Sequence, residues 1–182
     1  MSVRDIRLFG DPVLRSPARP VEDFDAALRR LVSDLVDTLI DAGGAGLAAP
    51  QIGVSLRVFV FGIMDPADPD QGSVHHLVNP VLVEQEAETV EDYEGCLSLP
   101  GLEYQLPRPR RIVAAGFDQH GDPVRVEGTE RLARCLAHET DHLDGVLFID
   151  RLDADTRKAA MAEIRERILG GERPVVKPSP HA

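Results

Sequence analysis

Long hydrophobic segments are missing from this chain of 182 residues. No apolar run approaches the roughly 18 residues of a membrane-spanning helix, so we expect no membrane span. The first twelve residues contain neither an apolar signal core nor a small-residue cleavage site, and they already carry aspartates, which disfavours secretory and transit peptides. We therefore expect a cytoplasmic protein, and its 43% apolar residues fit a globular chain with a hydrophobic core.

Positive charge is also scarce, because 20 Lys and Arg face 31 Asp and Glu, and the net charge is -11. A nucleic-acid-binding surface needs cations that release counterions from phosphate, so sequence-specific nucleic-acid binding is not expected. The segment from Arg151 onward is an exception, with seven Lys or Arg against five Asp or Glu. This segment leaves room for a contact with an acidic partner.

Cysteine occurs twice, as Cys96 and Cys135. In a reducing cytoplasm a structural disulfide between them is not expected. Each cysteine is then a buried apolar residue, a metal ligand or a nucleophile, and burial is the commonest fate of a lone cysteine.

Hydrophobic periodicity predicts three helices, at residues 24–42, 130–143 and 154–169. Asp23 or Asp25 can cap the first helix and Thr129 the second, because short oxygen-bearing side chains accept bonds from the first free amides. The residues after 171 include three prolines and no apolar face. We therefore expect one catalytic domain over residues 1–171 and a loose tail over residues 172–182.

Several segments rich in apolar and β-branched residues are predicted to be extended. They are residues 57–62, two segments within 74–90 that break at Asn79-Pro80, the arms of a hairpin at 111–117 and 123–128, and a short stretch at 146–150. Residues 64–73 are predicted to form a loop. Because strands and helices mix without βαβ alternation, the pattern indicates an α+β fold with mostly antiparallel sheet.

The strongest local motif is His-Glu-Thr-Asp-His at residues 138–142, on the second predicted helix. Residues four apart share a helix face, so His138 and His142 can reach one metal ion. Glu139 can then act on a water held by that ion without being a ligand itself. The alternative of two surface histidines beside a solvated acid is disfavoured by the helical setting.

A catalytic metal site usually has a third protein ligand. A carboxylate further along the chain would make an endopeptidase-like site, and the candidates are Asp150, Asp153 and Glu163. Cys96, in the sequence Glu-Gly-Cys-Leu-Ser at residues 94–98, would instead complete a Cys/His/His set. Such a set suits Fe(II), Co(II), Ni(II) or Zn(II).

A third segment, Gly-Ala-Gly-Leu-Ala-Ala-Pro-Gln at residues 44–51, follows the first helix. Its small residues let the backbone approach a ligand closely, and Gln51 adds an amide donor. Taken alone, this segment is more typical of a packing loop.

With these three segments together, the chain resembles the peptide deformylases, whose motifs read GxGLAAxQ, EGCLS and HExDH in this order. Here they stand as GAGLAAPQ, EGCLS and HETDH. The resemblance implies antiparallel sheets around the central helix that carries the histidines, and a C-terminal helix. It also implies hydrolysis of the N-formyl group from the initiator methionine of nascent polypeptides, with release of formate. The implied cofactor is one divalent ion, typically Fe2+, with Zn2+, Ni2+ or Co2+ as substitutes.

The resemblance also implies roles for single residues. Cys96, His138 and His142 match the metal ligands, and Glu139 matches the acid/base residue. Two further positions match the donors that stabilise the oxyanion, namely the Gln51 side chain and the backbone N–H of Leu97.

Other matched positions surround this set. Gly46, with Ala45 beside it, matches the loop whose backbone meets the substrate. Arg134 and Cys135 fall where the family lines its methionine pocket, and we expect the arginine to rest its stem there with its charge in solvent. Glu94 and Arg108 match a supporting pair near the cysteine.

Three expectations remain open at this point. Ala137 stands where many deformylases have Gln, which removes a contact behind the first histidine. Asp141 either orients a ligand imidazole or is solvated. The C-terminal helix is a candidate for contact with the ribosome, and a non-enzymatic metal-binding or ribosome-binding protein is the further alternative.

Overall fold

Residues 2–62 and 73–169 are described by the computed structural model. Three helices lie within them: α1 spans Ala26–Ala42, α2 spans Glu130–Leu143 and α3 spans Ala154–Leu169. Seven strands are present in the same ranges: β1 (Gly46–Ala48), β2 (Val58–Gly62), β3 (Val74–Gln85), β4 (Thr89–Gly95), β5 (Glu103–Pro109), β6 (Arg111–Phe117) and β7 (Pro123–Thr129).

The three helices form where the periodicity predicts them. Asp25 caps α1 by accepting bonds from the backbone amides of Ala27 and Leu28. At the other end Gly43 adopts a left-handed conformation with φ 67°, which stops the helix at low steric cost. Thr129 stands at the N-cap of α2, but its side chain makes no capping bond.

The strands form two antiparallel sheets. The larger one has the order β1-β2-β3-β6-β7, and β4 pairs with β5 in a separate hairpin. Both strands predicted at 111–117 and 123–128 are present as β6 and β7, paired over their full length. The hairpin matters most for the site, because β4 ends at the residue just before Cys96.

Two predictions for extended segments are wrong. Strand β3 runs through Asn79-Pro80 rather than breaking there, with a register shift between Val78 and Val81 that accommodates the proline. Asn79 takes a positive φ, and its side chain bonds both backbone groups of Val21. The stretch 146–150 contains a short 3-10 turn at Phe148–Asp150 and no strand.

Helix α2 lies at the centre of the molecule, against strands of both sheets. Its residues from Cys135 to Leu143 are all buried, and Leu136 packs with Phe59, Phe61 and Leu77 in one core cluster. Buried polar groups on such a helix need partners, so its polar residues define a built site. The predicted α+β fold, with antiparallel sheets around this helix and a C-terminal helix, is confirmed.

Two further findings concern membrane-spanning helices and the predicted segments that the structure does not describe. In the ranges 2–62 and 73–169, no helix is both long and apolar enough to cross a membrane. Nearly all of the predicted 64–73 loop and the whole of the predicted 172–182 tail lie outside the described residues.

Candidate metal centre

The two histidines of α2 and the cysteine that follows β4 meet at one point. The rings of His138 and His142 lie 4.9 Å apart between centroids. The Sγ atom of Cys96 is 3.2 Å from Nε2 of His142. One ligand atom from each of the three residues lies within 4.8 Å of the others. The sequence-predicted Cys/His/His set is therefore brought together by the fold.

The alternative third ligands lie in other interactions. Asp150 forms ion pairs with Arg15 and Arg157. Asp153 caps the start of α3, where it accepts from the amides of residues 155 and 156. Glu163 accepts bonds from Tyr104 and Arg167. No carboxylate joins the histidines in the ligand cluster found within the described residues.

Glu94 supports His138 from behind. Its Oε1 atom lies 2.7 Å from Nδ1 of His138 and accepts a 2.6 Å bond from Arg108 Nη2. Its Oε2 atom accepts from Arg108 Nε at 2.9 Å and from Arg134 Nη1 at 3.0 Å. Burial alone would raise the pKa of Glu94, but the bonds from Arg108 and His138 hold it well below its usual range.

This pairing determines how the imidazoles face the ligand cluster. An ionised Glu94 only accepts, so His138 donates from Nδ1 and directs Nε2 toward the ligand cluster. Burial alone would lower the pKa of His138, but its bonds to Cys96 and Glu94 raise it well above its usual value, so a metal ion has to displace the proton on Nε2. Burial lowers the pKa of His142 well below its usual value, so its ring is neutral and has a free lone pair. Phe148 stacks on the His138 ring at 6.3 Å between centroids. Two imidazoles and one cysteine sulfur form a donor set that fits a divalent transition metal.

Asp141 has a role that differs from both sequence alternatives. It is buried, but its oxygens accept bonds from Arg108 at 2.8 Å and from Arg151 at 2.6 Å. It therefore neither contacts a ligand imidazole nor is solvated. Its position extends the charge network outward, from Glu94 through Arg108 to Asp141 and Arg151.

Glu139 follows His138 on α2, and its side chain lies against Gly46. A Cβ atom added at Gly46 would come 2.5 Å from Oε1 of Glu139, so only glycine leaves room for this carboxyl group. The Oε2 atom of Glu139 is buried and has no hydrogen-bond partner among the described residues. Burial raises the pKa of Glu139 to about 7, which is a useful value for a group that takes up and releases a proton.

The segment from Ala45 into β1 lies against α2 near the same place. Cys135 is buried, and its thiol donates to the carbonyl of Ala45 at 3.5 Å. Ala45, Gly46 and Cys135 therefore lie close together beside Glu139. Burial raises the pKa of the Cys135 thiol well above its usual value, so this sulfur is protonated and is no competing ligand.

Gln51 is held in one orientation by the backbone. Its Oε1 atom accepts from the amide of Ala48 at 2.8 Å, which directs Nε2 toward Sγ of Cys96 at 3.7 Å and Oγ of Ser98 at 3.2 Å. Leu97, between these two residues, lies in a turn, and its N–H donates to no backbone carbonyl within the described ranges. Sequence reasoning missed Ser98, although it is the last residue of the EGCLS segment.

Comparison with known proteins agrees with this geometry. Residues 3–158 match the family model described as polypeptide deformylase. The chain belongs to the polypeptide deformylase family. A peptide deformylase from Parafrankia sp. (strain EAN1pec) is 60% identical over 182 residues, which cover 100% of this chain and 96% of the relative.

Solved deformylase structures share the fold. That of the Legionella pneumophila enzyme has a TM-score of 0.84 at 39% identity, over 95% of this chain and 100% of the other. That of the Ehrlichia chaffeensis enzyme in complex with actinonin has a TM-score of 0.84 at 34% identity, over 95% and 99%. The predicted family and activity are confirmed: this chain is a peptide deformylase, which removes the formyl group from an N-terminal methionine.

One prediction about the deformylase site is wrong in its geometry. The guanidinium of Arg134 does not extend into solvent, because its side chain is 11% exposed and it bonds Glu94. Ala137, which stands in place of the more usual Gln, is buried in the core cluster with Leu136 and Leu143. Arg134 therefore joins the charge network of this deformylase, and position 137 contributes packing.

Proposed function

We propose that Cys96, His138 and His142 hold one divalent ion, and that Glu139 transfers the proton while a formylmethionyl peptide is hydrolysed. The observation that carries this proposal is the meeting of three ligand atoms within 4.8 Å, with a buried carboxyl group on the neighbouring residue. The donor set of one sulfur and two imidazole nitrogens supports it.

A bound ion supplies Lewis acidity, which lowers the pKa of a water ligand and polarises a carbonyl group. We propose Fe2+ as the native ion, from the family resemblance, and the same ligands suit Zn2+, Ni2+ and Co2+. Cys96 would bind the ion through its sulfur, and as a thiolate ligand it would neutralise one unit of the ion's charge. Glu94 keeps His138 in the tautomer whose Nε2 atom can bind the ion.

Glu139 performs the proton transfers. Its carboxylate accepts the proton of the attacking water and later donates it to the leaving amine of methionine. Because burial raises the pKa of this carboxyl group, it is a stronger base than a solvent-exposed glutamate and can both accept and release the proton. Gly46 keeps this carboxyl group close to the reacting atoms by leaving room for it.

Negative charge develops on the formyl oxygen as water attacks. We assign the amide of Gln51 and the backbone N–H of Leu97 as the donors that stabilise it. Gln51 is held in place by Ala48, so little reorganisation is needed during the reaction. A preorganised donor of this kind contributes about 3 kcal/mol.

The substrate is proposed to meet Ala45 and Gly46 along its backbone, with Cys135 as part of the wall around the methionine side chain. The contact between Cys135 and Ala45 supports a shared wall. A formyl group is the smallest acyl group, so a narrow site excludes acetyl groups and internal peptide bonds by size.

The wider setting of the chain is also proposed. We infer one catalytic domain over residues 1–171, a cytoplasmic location and a contact of α3 with the ribosome. Lys158 and Arg165 are exposed on α3, whereas Arg157 and Arg167 pair with acids. Replacing Lys158 and Arg165 by Glu should weaken co-sedimentation with ribosomes, and unchanged binding would refute the contact.

Formate release is the direct test of the activity. Anaerobically prepared protein should release one formate per molecule of formyl-Met-Ala-Ser, and none from acetyl-Met-Ala-Ser at the same concentration. Metal content is measured on the same sample. A metal-loaded protein that releases no formate, or that cleaves internal peptide bonds instead, would contradict the proposal.

A further inference from the structure

We propose that Arg134 is a positioning residue that fastens the β4–β5 hairpin to α2 and thereby holds Cys96 at the two histidines. This inference rests on the ligand set proposed above. It assigns Arg134 a part in retaining the metal ion, in place of the role in the methionine pocket that the family resemblance implies.

Three bonds join the guanidinium of Arg134 to three different points. Nη1 donates to Oε2 of Glu94 at 3.0 Å and to the carbonyl of Leu106 at 2.8 Å. Nη2 donates to the carbonyl of Val90 at 2.9 Å. Val90 belongs to β4 and Leu106 to β5, so a single side chain of α2 is bonded to both strands of the hairpin.

The spacing along each element makes this fastening relevant to the metal. Arg134 and His138 are four residues apart on α2 and reach the same carboxylate, that of Glu94. Cys96 follows Glu94 by two residues, immediately after β4 ends. A shift of the hairpin relative to α2 would therefore move the sulfur away from the imidazoles.

The charge balance at Glu94 indicates the same role. Its carboxylate has about four lone-pair sites, and the two bonds from Arg108, one from His138 and one from Arg134 occupy them. The Glu94 side chain is only 3% exposed, so a lost donor is not easily replaced by bulk water. Loss of Arg134 leaves Oε2 with one bond and removes a positive charge from beside a buried negative one.

The competing role is a wall of the substrate site. Arg134 also lines a small cavity of about 120 Å³ together with Val90, Asp92 and Glu130, and neither Gly46 nor Cys135 is among the lining residues. A wall residue affects KM and leaves metal release unchanged, whereas a positioning residue affects metal release first. The two roles are therefore separated by measuring both quantities on the same variants.

The experiment compares Arg134→Ala and Arg134→Lys with the wild type. Zn2+ is loaded into each protein, and its release to excess chelator is followed with a zinc indicator. We expect release from the alanine variant to be about 10- to 100-fold faster, as for other groups that orient metal ligands. The lysine variant should be intermediate, because one ammonium group satisfies fewer of the three acceptors. KM for formyl-Met-Ala-Ser should change less than twofold in the loaded variants.

Arg110→Ala is the matched control, since Arg110 is half-exposed, pairs with Glu88 and Glu130 and does not touch Glu94. Its metal release should equal that of the wild type. Unchanged release in both Arg134 variants, or a raised KM alone, would overturn the inference. If far-UV circular dichroism shows that the alanine variant is unfolded, zinc release from Arg134→Lys is compared with that from the wild type to test the inference. A wild type that binds no stoichiometric Zn2+ would instead refute the ligand set itself.

Discussion

The Sγ atom of Cys96 lies 3.2 Å from Nε2 of His142, although the two residues are 46 positions apart in sequence. One belongs to the end of a hairpin and the other to a buried helix, so the contact exists only in the folded chain. Metal binding at this point is therefore linked to folding, because the unfolded chain does not hold the three ligands together.

Replacement of Cys96 by Ala should abolish stoichiometric metal binding, because two imidazoles alone leave the ion with an incomplete ligand set. Cys135→Ala is the matched control, since this protonated thiol bonds a backbone carbonyl and is no ligand. Elemental analysis of both purified proteins measures the effect. Full metal occupancy in the Cys96 variant would show that the Cys96 sulfur is not a ligand.

Replacement of Glu139 by Gln should leave metal content unchanged and lower kcat by about 10²- to 10⁴-fold, the usual contribution of a general base. The amide has nearly the same shape as the carboxyl group but cannot accept the proton. Formate release at saturating substrate measures kcat, and metal analysis of the same sample is the control. Turnover near the wild-type rate would show that Glu139 does not transfer the proton.

Replacement of Gly46 by Ala should lower kcat by about 10²-fold, because the added methyl group displaces the Glu139 carboxyl group by an ångström or more. The double variant with Glu139→Gln provides the control. If Gly46 acts through Glu139, the alanine should cost little further activity in that background. Fully multiplicative losses would show that Gly46 acts elsewhere.

Replacement of Gln51 by Met should reduce kcat by about 10²- to 10³-fold with little change in KM, since an oxyanion donor acts in the transition state. Ser98→Ala is the control, because it removes only one partner of the Gln51 amide. That variant should keep most of its activity. A rise in KM at constant kcat for Gln51→Met would instead indicate a role in binding the ground state.

The activity should fall in acid with the protonation of Glu139. Its raised pKa of about 7 applies to the chain alone, and a bound cation stabilises the carboxylate and moves the pKa downward. Because only the ionised form accepts a proton, log kcat/KM should decrease with unit slope below a midpoint lower than 7. Rates at several pH values with constant metal content test this, and a profile that stays flat down to pH 5 would contradict it.

Local sequence was sufficient for the helical part of the site. The spacing of His138 and His142 and the apolar periodicity of residues 130–143 predicted a helix with both imidazoles on one face, as the structure has it. The contact between this helix and Cys96 depends on long-range packing, which no local sequence pattern encodes. Only the joint occurrence of three motifs indicated that contact beforehand.

The β4–β5 hairpin shows why the short strands and the burial of Arg134 were not predicted from the sequence. Strand β5 contains Pro107 and Pro109, which cannot donate to a neighbouring strand and which break the usual strand pattern. The bonds of Arg134 end on carbonyls of β4 and β5, so its burial could not be foreseen without that hairpin. Strand β1 is three small and apolar residues long, too short for a period-two pattern.

X-ray absorption at the zinc edge tests the ligand set most directly, on wild-type protein and on Cys135→Ala, both loaded with Zn2+. We predict for the wild type one sulfur at about 2.3 Å and nitrogen ligands at about 2.0–2.1 Å. The sulfur shell should be retained in Cys135→Ala, which leaves Cys96 as the source of the sulfur. A wild-type spectrum that fits nitrogen and oxygen ligands alone would contradict the account.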